Sequence, residues 1–116
     1  MQIIRKGTIV KGIGNKYIEE QIGVVHTKTD AFSVAKMIAP PHWREPFHKT
    51  EFDEISIIIS GILTVEQDGK IEHVHGGETC WVERGSKVQY RNDAKQECYY
   101  WSICIPAYKP ELVTHP

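Results

Sequence analysis

The amino-acid sequence predicts an all-β fold, built as an antiparallel sandwich or barrel. Short runs rich in Val, Ile, Tyr and Thr recur along the chain, which is the composition typical of strands. Gly, Pro, Asn and Asp separate these runs at roughly even intervals, and few or no segments look helical. The 116 residues, of which 41% are hydrophobic, suit one compact domain spanning residues 1–116.

Turn-forming residues bound the candidate strands. The Gly12-x-Gly14 pair before the first run reads as a turn, because it is too short for a phosphate-binding loop. Prolines in the tail, residues 106–116, stop the last run, and we expect the tail to lie across the surface. In chain order the runs are KYIEEQIGVVHT, AFSVAKMIA, DEISIIIS, ILTVEQ, KIEHVH, TCWVE, KVQYRN and CYYWSICIP.

The clearest local feature is a β-hairpin in TVEQDGKIEHV. Asp68-Gly69 is a two-residue turn that can take the positive φ angles a type I′ hairpin demands, and that turn fixes the strand register. The register places Leu63 opposite Val74. Side-chain alternation adds Val65 to the same side, so the hairpin has one apolar face.

The polar stretch FHKTEFDEISIIISG raises the question of a metal site. If Phe47 to Ser60 is extended, alternation places His48, Thr50 and Glu54 on one face. An imidazole and a carboxylate together can hold a divalent ion such as Mn²⁺, Fe²⁺, Ni²⁺ or Zn²⁺, but two protein ligands are one or two short of a good site. A hydrogen-bonded pair of His48 and Glu54 without a metal is the alternative.

The spacing of these residues resembles the two motifs of the cupin superfamily, HxH(x)3–4E(x)6G and G(x)5PxG(x)2H(x)3N. Residues 48–61 match the first spacing and residues 77–92 match the second. The resemblance covers roughly residues 31–106 and implies a double-stranded β-helix, the jelly-roll barrel of the cupins. FDEISIIISGILTVEQDGK and CWVERGSKVQYRN are also similar to the small cupins of the ethanolamine-utilisation EutQ type, whose motif also lacks the full histidine set.

Departures from the motifs limit what the resemblance implies about a metal. His48 matches the first metal histidine and Glu54 the metal glutamate. Thr50 and Val88 stand at the other two histidine positions, and Glu83 stands at the proline position. Because a threonine hydroxyl is a poor ligand and valine is none, the resemblance implies the fold strongly and the three-His-one-Glu centre only weakly.

Other side chains are candidates for an organic-ligand site in the barrel, where a few polar groups stand among apolar walls. Tyr90 lies two residues past Val88, so it shares a strand face with it and can point into the same barrel mouth. In CYYWSIC the sequence leaves open which aromatic side chain turns inward. The further ligand-binding candidates are Thr50 from the first motif, Trp43 and Glu45 from PPHWREPFH, and Tyr100 from the last strand.

Two functions stay open at this point. In the first, His48 and Glu54 hold a divalent ion supported by Tyr90 and Glu45, and isomerase, lyase and oxygenase chemistry all fit a small oxygenated metabolite. The EutQ-like resemblance adds an amine-derived metabolite to the possible substrates. In the second function, the replaced histidines mark the loss of metal chemistry, and the barrel is a metal-free binding or regulatory module without catalytic activity.

Charge and cysteine content narrow the cellular setting and the partners. The net charge of -1, with acids and bases interspersed, predicts no nucleic-acid partner. The most apolar segment is too short and too interrupted to predict a membrane span. The three cysteines lack a Cys-x-x-Cys pair, which is typical of reduced, buried thiols in a cytoplasmic protein.

The opposite face of the run from Phe47 to Ser60 predicts self-association. Ile55, Ile57 and Ile59 face outward if the even-numbered residues face the interior, and such a row needs cover from more protein. A homodimer would supply that cover, and the cupin resemblance implies the same arrangement. A bulge near Glu54 would swap the two faces and remove this argument.

Overall fold

The computed structural model describes residues 1–115, and Pro116, the last residue of the predicted tail, lies outside them. These residues form eleven strands and one 3₁₀-helix, Pro110–Leu112, and no α-helix. No helix among them has the length and apolar character that a membrane crossing requires. In chain order the strands are β1 (Thr8–Lys11), β2 (Tyr17–Ile22), β3 (Ser33–Ala39), β4 (His48–Thr50), β5 (Asp53–Ser60), β6 (Ile62–Gln67), β7 (Lys70–His75), β8 (Thr79–Val82), β9 (Lys87–Arg91), β10 (Cys98–Ile105) and β11 (Val113–Thr114).

The strands form two antiparallel sheets, so the predicted all-β architecture is confirmed. The six-stranded sheet has the order β1-β2-β3-β10-β5-β8, and the five-stranded sheet has the order β11-β4-β9-β6-β7. Apolar side chains from the inner faces of both sheets form one buried core, which is the arrangement of a jelly-roll barrel. The core includes Ala39, Ile58 and Tyr100 from the larger sheet and Leu63, Val65 and Val88 from the smaller one.

Most predicted runs coincide with strands, and the segments DEISIIIS, ILTVEQ and KIEHVH are β5, β6 and β7 residue for residue. The run KYIEEQIGVVHT is longer than β2, which ends at Ile22. The Glu20 carboxylate accepts hydrogen bonds from the backbone N–H groups of Val25 at 2.9 Å and His26 at 2.6 Å. These bonds hold the following residues in a turn, which ends the strand. The sequence patterns missed the short strands β1 and β11.

The run from Phe47 to Ser60 is treated as one extended segment in the sequence analysis. The structure instead divides it into two strands that meet at a bend. The bend falls at Glu51 and Phe52, where the chain passes from β4 in the five-stranded sheet to β5 in the six-stranded sheet. The Thr50 hydroxyl donates to the Phe52 carbonyl oxygen at 2.7 Å across it. Alternation survives the bend, because every fully buried residue from 48 to 58 is even-numbered and the remaining even-numbered residue, Glu54, lines the cavity.

The predicted hairpin forms in the predicted register. Asp68 and Gly69 have φ angles of 50° and 82°, the left-handed values expected of a type I′ turn. Leu63 pairs with Val74, and both side chains are buried together with Val65. A turn that demands particular residue types is a local signal, so the sequence alone was sufficient to set this register.

The outer face of the six-stranded sheet is apolar around β5. Ile55 lies opposite Ile103 of β10 and Trp81 of β8, and Ile57 lies opposite Trp101. The irregularity between β5 and β10 falls at Ile59, which has no partner between the pairs Ile58–Tyr100 and Ser60–Tyr99, so it leaves the faces of residues 53–58 unchanged. Ile59 itself is 58% exposed. The outward orientation predicted for the isoleucine row therefore stands.

Candidate functional site

The barrel contains a cavity of about 460 Å³. Its wall is mainly apolar and includes Ile18, Met37 and Trp43. A volume of this size suits a small organic molecule. The polar side chains in the wall come from separate parts of the chain. They are Lys11, Lys16, Glu20, Ser33, Glu45, His48, Glu54, Tyr90, Ser102, Tyr108 and His115.

His48 begins β4 and is paired with Glu45, which precedes it in the loop. The distance between His48 Nδ1 and Glu45 Oε2 is 2.7 Å, and both side chains are largely buried. Nδ1 also lies 3.1 Å from the Pro46 carbonyl oxygen. Two acceptors beside Nδ1 place a proton there, so Nε2 is the nitrogen left for another partner. Burial lowers the pKa of His48, but the hydrogen bond and the charge of Glu45 outweigh it, and the pKa is raised.

Glu54 lies on β5 and has a different partner from the one considered in the sequence. Ser102, on the adjacent strand β10, donates its hydroxyl hydrogen to Glu54 Oε2 over 2.8 Å. Burial raises the pKa of the Glu54 carboxyl group, although the bond from Ser102 opposes that change. The predicted pair of His48 with Glu54 is therefore replaced by two separate pairs, His48 with Glu45 and Glu54 with Ser102.

The side chains around His48 do not fit the three-His-one-Glu metal centre of the cupin motif. In residues 1–115, no three His, Cys, Asp or Glu side chains form a group that could hold an ion. Val88, at the third histidine position, lies directly across from His48 on β9 and offers no ligand atom. The Thr50 hydroxyl is used in the bend, and the Lys16 cation lines the same cavity. A donor set of two acids and one imidazole that already pair otherwise is short of what a resident divalent ion needs.

The predicted aromatic candidates take three different positions. Tyr90 lines the cavity, with 6.1 Å between its ring centroid and that of His48. Trp43 also lines the cavity, and its indole N–H donates to the Ile13 carbonyl oxygen at 2.7 Å, which ties it to the β1–β2 turn. On β10, Tyr100 is the inward-facing aromatic residue, whereas Tyr99 is exposed on the other face.

Lys16 is one of the polar cavity residues that the sequence analysis missed. It follows the β1–β2 turn, and Lys16 Nζ lies 4.2 Å from the ring centroid of Trp43 and 4.9 Å from that of Tyr100. Burial lowers the pKa of its amine, although the charges of Glu45 and Glu54 oppose that change. A signal existed in the run KYIEEQ, because alternation places Lys16 on the same strand face as Ile18.

The sequence predicts that the C-terminal tail lies across the surface, but the structure shows closer contacts. Val113 of β11 pairs with Thr50 of β4, which attaches the tail to the five-stranded sheet. Tyr108, Val113 and His115 line the cavity, and the His115 ring centroid lies 6.2 Å from that of His48. The tail is therefore part of the cavity wall. Its prolines end β10 as predicted, but they do not prevent a further short strand.

The two-sheet topology and the central cavity define a cupin-type double-stranded β-helix, and comparison with solved structures agrees. Similar structures include a cupin 2 conserved barrel domain protein from Salinispora arenicola (TM-score 0.67, 17% identity, 84% of this chain and 79% of that chain). A predicted oxalate decarboxylase from Thermotoga maritima has a TM-score of 0.76 at 18% identity, covering 90% of this chain and 99% of the other. A putative ethanolamine utilization protein Q from Salmonella typhimurium has a TM-score of 0.65 at 14% identity, covering 80% and 71%. At these identities the likeness shows the fold alone, and the likeness to EutQ is distant.

Sequence comparison gives one strong similarity of a different kind. The chain is 47% identical over 109 residues to a protein of Myxococcus xanthus named endoribonuclease YbeY. The match takes in 94% of this chain but only 37% of that protein, so the chain spans little more than a third of its length. No family model matches the sequence.

Proposed function

We propose that this chain is a small-molecule-binding cupin whose ligand occupies the barrel cavity. The observation that carries the proposal is the cavity of about 460 Å³, in which a few polar side chains stand in a mainly apolar wall. Apolar walls supply most of the binding free energy of a small ligand, and sparse polar groups set its orientation. The ligand class is a small oxygenated or amine-derived metabolite, and we assign no catalytic step to the site.

The structural neighbours support this class of ligand only in a general way. One neighbour is a predicted oxalate decarboxylase, another is a putative ethanolamine utilization protein, and both have barrels of this fold. Fold alone does not transfer function, so the cavity of this chain carries the argument. An EutQ-like role in amine metabolism belongs to the same proposal.

A ligand screen with a cavity-filling variant tests the proposal. Ala35 lies in the cavity wall, so Ala35→Leu should take up part of the cavity and weaken or abolish binding of any ligand found by thermal shift. Ala31→Leu, at an exposed position before β3, is the matched control and should bind as the wild type does. Equal binding by wild type and Ala35→Leu would place the ligand outside the barrel and overturn the proposal.

A metal-assisted version of this function is a second candidate, and one observation favours it. Glu45 holds the proton on His48 Nδ1, and metal-binding histidines commonly have such a carboxylate partner. Because His48 and Glu54 are too few, a divalent ion would need further ligands from the bound molecule. Elemental analysis of protein without a His tag tests this. About one equivalent of Mn, Fe, Ni or Zn in the wild type would support the ion if it is lost in His48→Ala and kept in the exposed control His75→Ala. No metal in the wild type would exclude a tightly held ion.

The similarity to the Myxococcus protein supports a third candidate, a role beside an RNA-cleaving activity. The chain covers only 37% of that protein, so the nuclease name does not by itself describe the matched part. The net charge of -1 is also unlike that of an RNA-binding surface. Incubating the purified chain with a labelled single-stranded RNA tests the idea. No cleavage above a buffer control would agree with a role beside a nuclease, whereas cleavage would mean that the chain itself is the nuclease and would overturn this candidate.

We further propose a homodimer through the outer face of the six-stranded sheet. Ile55, Ile57 and Ile59 form a row on this face, and Trp81 extends it, with 64% of its surface exposed. A contiguous apolar patch of this kind is costly in water and is typical of a protein contact. A second copy of the chain offers the same apolar face, which a twofold contact would cover on both sides.

A further inference from the structure

Two lysines line the cavity, the exposed Lys11 and the half-buried Lys16, and the surroundings of Lys16 leave it without a counter-charge in direct contact. Its Nζ atom stands over the rings of Trp43 at 4.2 Å and Tyr100 at 4.9 Å. No carboxylate among residues 1–115 forms an ion pair with it. The aromatic faces favour the charged amine, but they do not replace the hydrogen bonds that water would have accepted from it.

The two carboxylates whose charges act on Lys16, those of Glu45 and Glu54, already have other partners. Glu45 contacts His48 at 2.7 Å, and Glu54 accepts the hydroxyl of Ser102 at 2.8 Å. The other ionisable groups that act on the amine are the thiols of Cys98 and Cys104. Burial raises the pKa of both thiols, so they are neutral and supply no negative charge. Lys16 therefore has three N–H donors in the cavity wall and no carboxylate of the described residues paired with them.

Tyr90 supplies an independent observation that points to the same cavity. Its side chain is 3% exposed and lines the cavity. No group among residues 1–115 hydrogen-bonds to its hydroxyl. A buried hydroxyl without a partner is costly, and a ligand oxygen in the cavity would satisfy it.

We propose that Lys16 binds the carboxylate of a small organic acid in the barrel, and that the Tyr90 hydroxyl donates to an oxygen of the same molecule. This inference rests on the proposed small-molecule function and narrows its ligand class. A carboxylate supplies both the negative charge and the acceptor atoms that the amine lacks, and charge-assisted hydrogen bonds of this type are the strong ones. Lys16 repels a cationic amine, whereas Glu45 and Glu54, which would attract one, are already engaged by His48 and Ser102. The acid is therefore favoured over the amine-derived metabolite.

The size and wall of the cavity limit the acid. A volume of about 460 Å³ admits molecules larger than acetate, and Ile18, Met37 and Trp43 provide an apolar surface for the remainder of the ligand. A monocarboxylate with a compact apolar body satisfies the amine and the wall together. Benzoate and phenylacetate are suitable probes of that shape.

The test compares acids with uncharged molecules of the same shape. Benzoate and phenylacetate are titrated into wild-type protein by calorimetry, in parallel with benzamide and phenylacetamide. We expect the acids to bind about tenfold or more tightly than the amides, because a carboxylate forms an ion pair with the amine and an amide carbonyl forms only a hydrogen bond to it. Acids and amides that bind equally well would leave the cavity function intact and overturn the assignment to Lys16. Failure of all four probes would count against both proposals.

Variants separate the cavity lysine from a general effect of positive charge. Lys16→Met keeps the length of the side chain and should weaken acid binding about tenfold or more, a larger factor than its effect on amide binding. Lys36→Met is the matched control, because Lys36 Nζ also stands over an aromatic ring, that of Trp101 at 5.5 Å, but on the outer face of the sheet. Tyr90→Phe should weaken both acids and amides by a smaller factor. If Lys36→Met weakens acid binding as much as Lys16→Met does, the proposal is wrong. Should a variant fail to fold, the comparison of acids with amides in the wild-type protein still decides the question.

Discussion

His48 and Glu45 form a buried pair in which Nδ1 of the imidazole lies 2.7 Å from Oε2 of the carboxylate. Glu45 precedes β4 by three residues, so the same short segment supplies both partners. The pair fixes which nitrogen of His48 carries a proton and leaves Nε2 available. The pair also engages one of the three glutamates that line the cavity, so His48 has Glu45 rather than Glu54 as its partner.

The His48 pair predicts the effect of Glu45→Gln on the histidine. Burial lowers the pKa of His48, whereas the hydrogen bond and charge of Glu45 raise it. Removing the charge should therefore lower the pKa of His48 below its wild-type value. Titration of the histidine ring signals by NMR measures the change. Glu51→Gln, at an exposed position, is the control and should leave this pKa unchanged, and an unaltered pKa in Glu45→Gln would show that the pair does not govern His48.

Glu54 predicts a dependence of stability on pH. Burial raises its pKa above the usual 4.5, so the folded state holds the proton more tightly than the unfolded state. The free energy of unfolding should then fall as pH rises from the unfolded pKa through the folded one, because ionisation costs more in the buried site. Glu54→Gln removes this loss and keeps an acceptor for Ser102.

Urea unfolding at pH 5 and pH 8 measures this effect. The stability of Glu54→Gln relative to the wild type should be greater at pH 8 than at pH 5. Glu83→Gln, which changes an exposed glutamate, is the matched control and should follow the wild type at both values. A relative stability of Glu54→Gln that declines with pH would mean that the carboxylate gains more from its neighbours than it loses by burial.

Asn92, the last residue of the second motif, predicts a large loss of stability on truncation. It is fully buried, and its side-chain N–H groups donate to the carbonyl oxygens of Ala39, Pro40 and Gln96 at distances of 2.8 to 3.2 Å. Asn92→Ala leaves these buried acceptors without a donor, at a cost of about 2–4 kcal/mol in the free energy of unfolding. Gln96→Ala keeps its backbone acceptor and should cost about 0.5 kcal/mol or less. Chemical denaturation compares the two, and similar small losses would contradict a structural role for Asn92.

The outer isoleucine row predicts the result of adding a charge to it. Ile57→Glu should give a monomer or an aggregate, because a carboxylate in a dimer contact would be buried without a partner. Ile71→Glu places the same change at an exposed isoleucine of the five-stranded sheet and should leave the assembly unaltered. Sedimentation velocity distinguishes these states. A dimer that persists unchanged in Ile57→Glu would place the contact elsewhere.

Patterns that act over a few residues were sufficient to predict much of the fold. Alternation placed His48, Ser56 and Ile58 on the inner face, and the Asp68-Gly69 turn set the hairpin register. These signals are local, since strand geometry has a period of two and a type I′ turn admits few residue types. The bend at Glu51 and Phe52 interrupts hydrogen bonding but not alternation, so the inner face was predicted correctly across it.

The sequence by itself determined the all-β class, most strand boundaries and the inward face of the motif residues. Only the tertiary structure decided which groups meet in the cavity: Ser102 reaches Glu54 across 48 positions of the chain, and the turn after β1 carries Lys16 to Trp43. The tail strand β11 reaches β4 in the same way. Such contacts depend on how the two sheets close around the core, and closure is set by packing across the whole barrel rather than by any short stretch of residues.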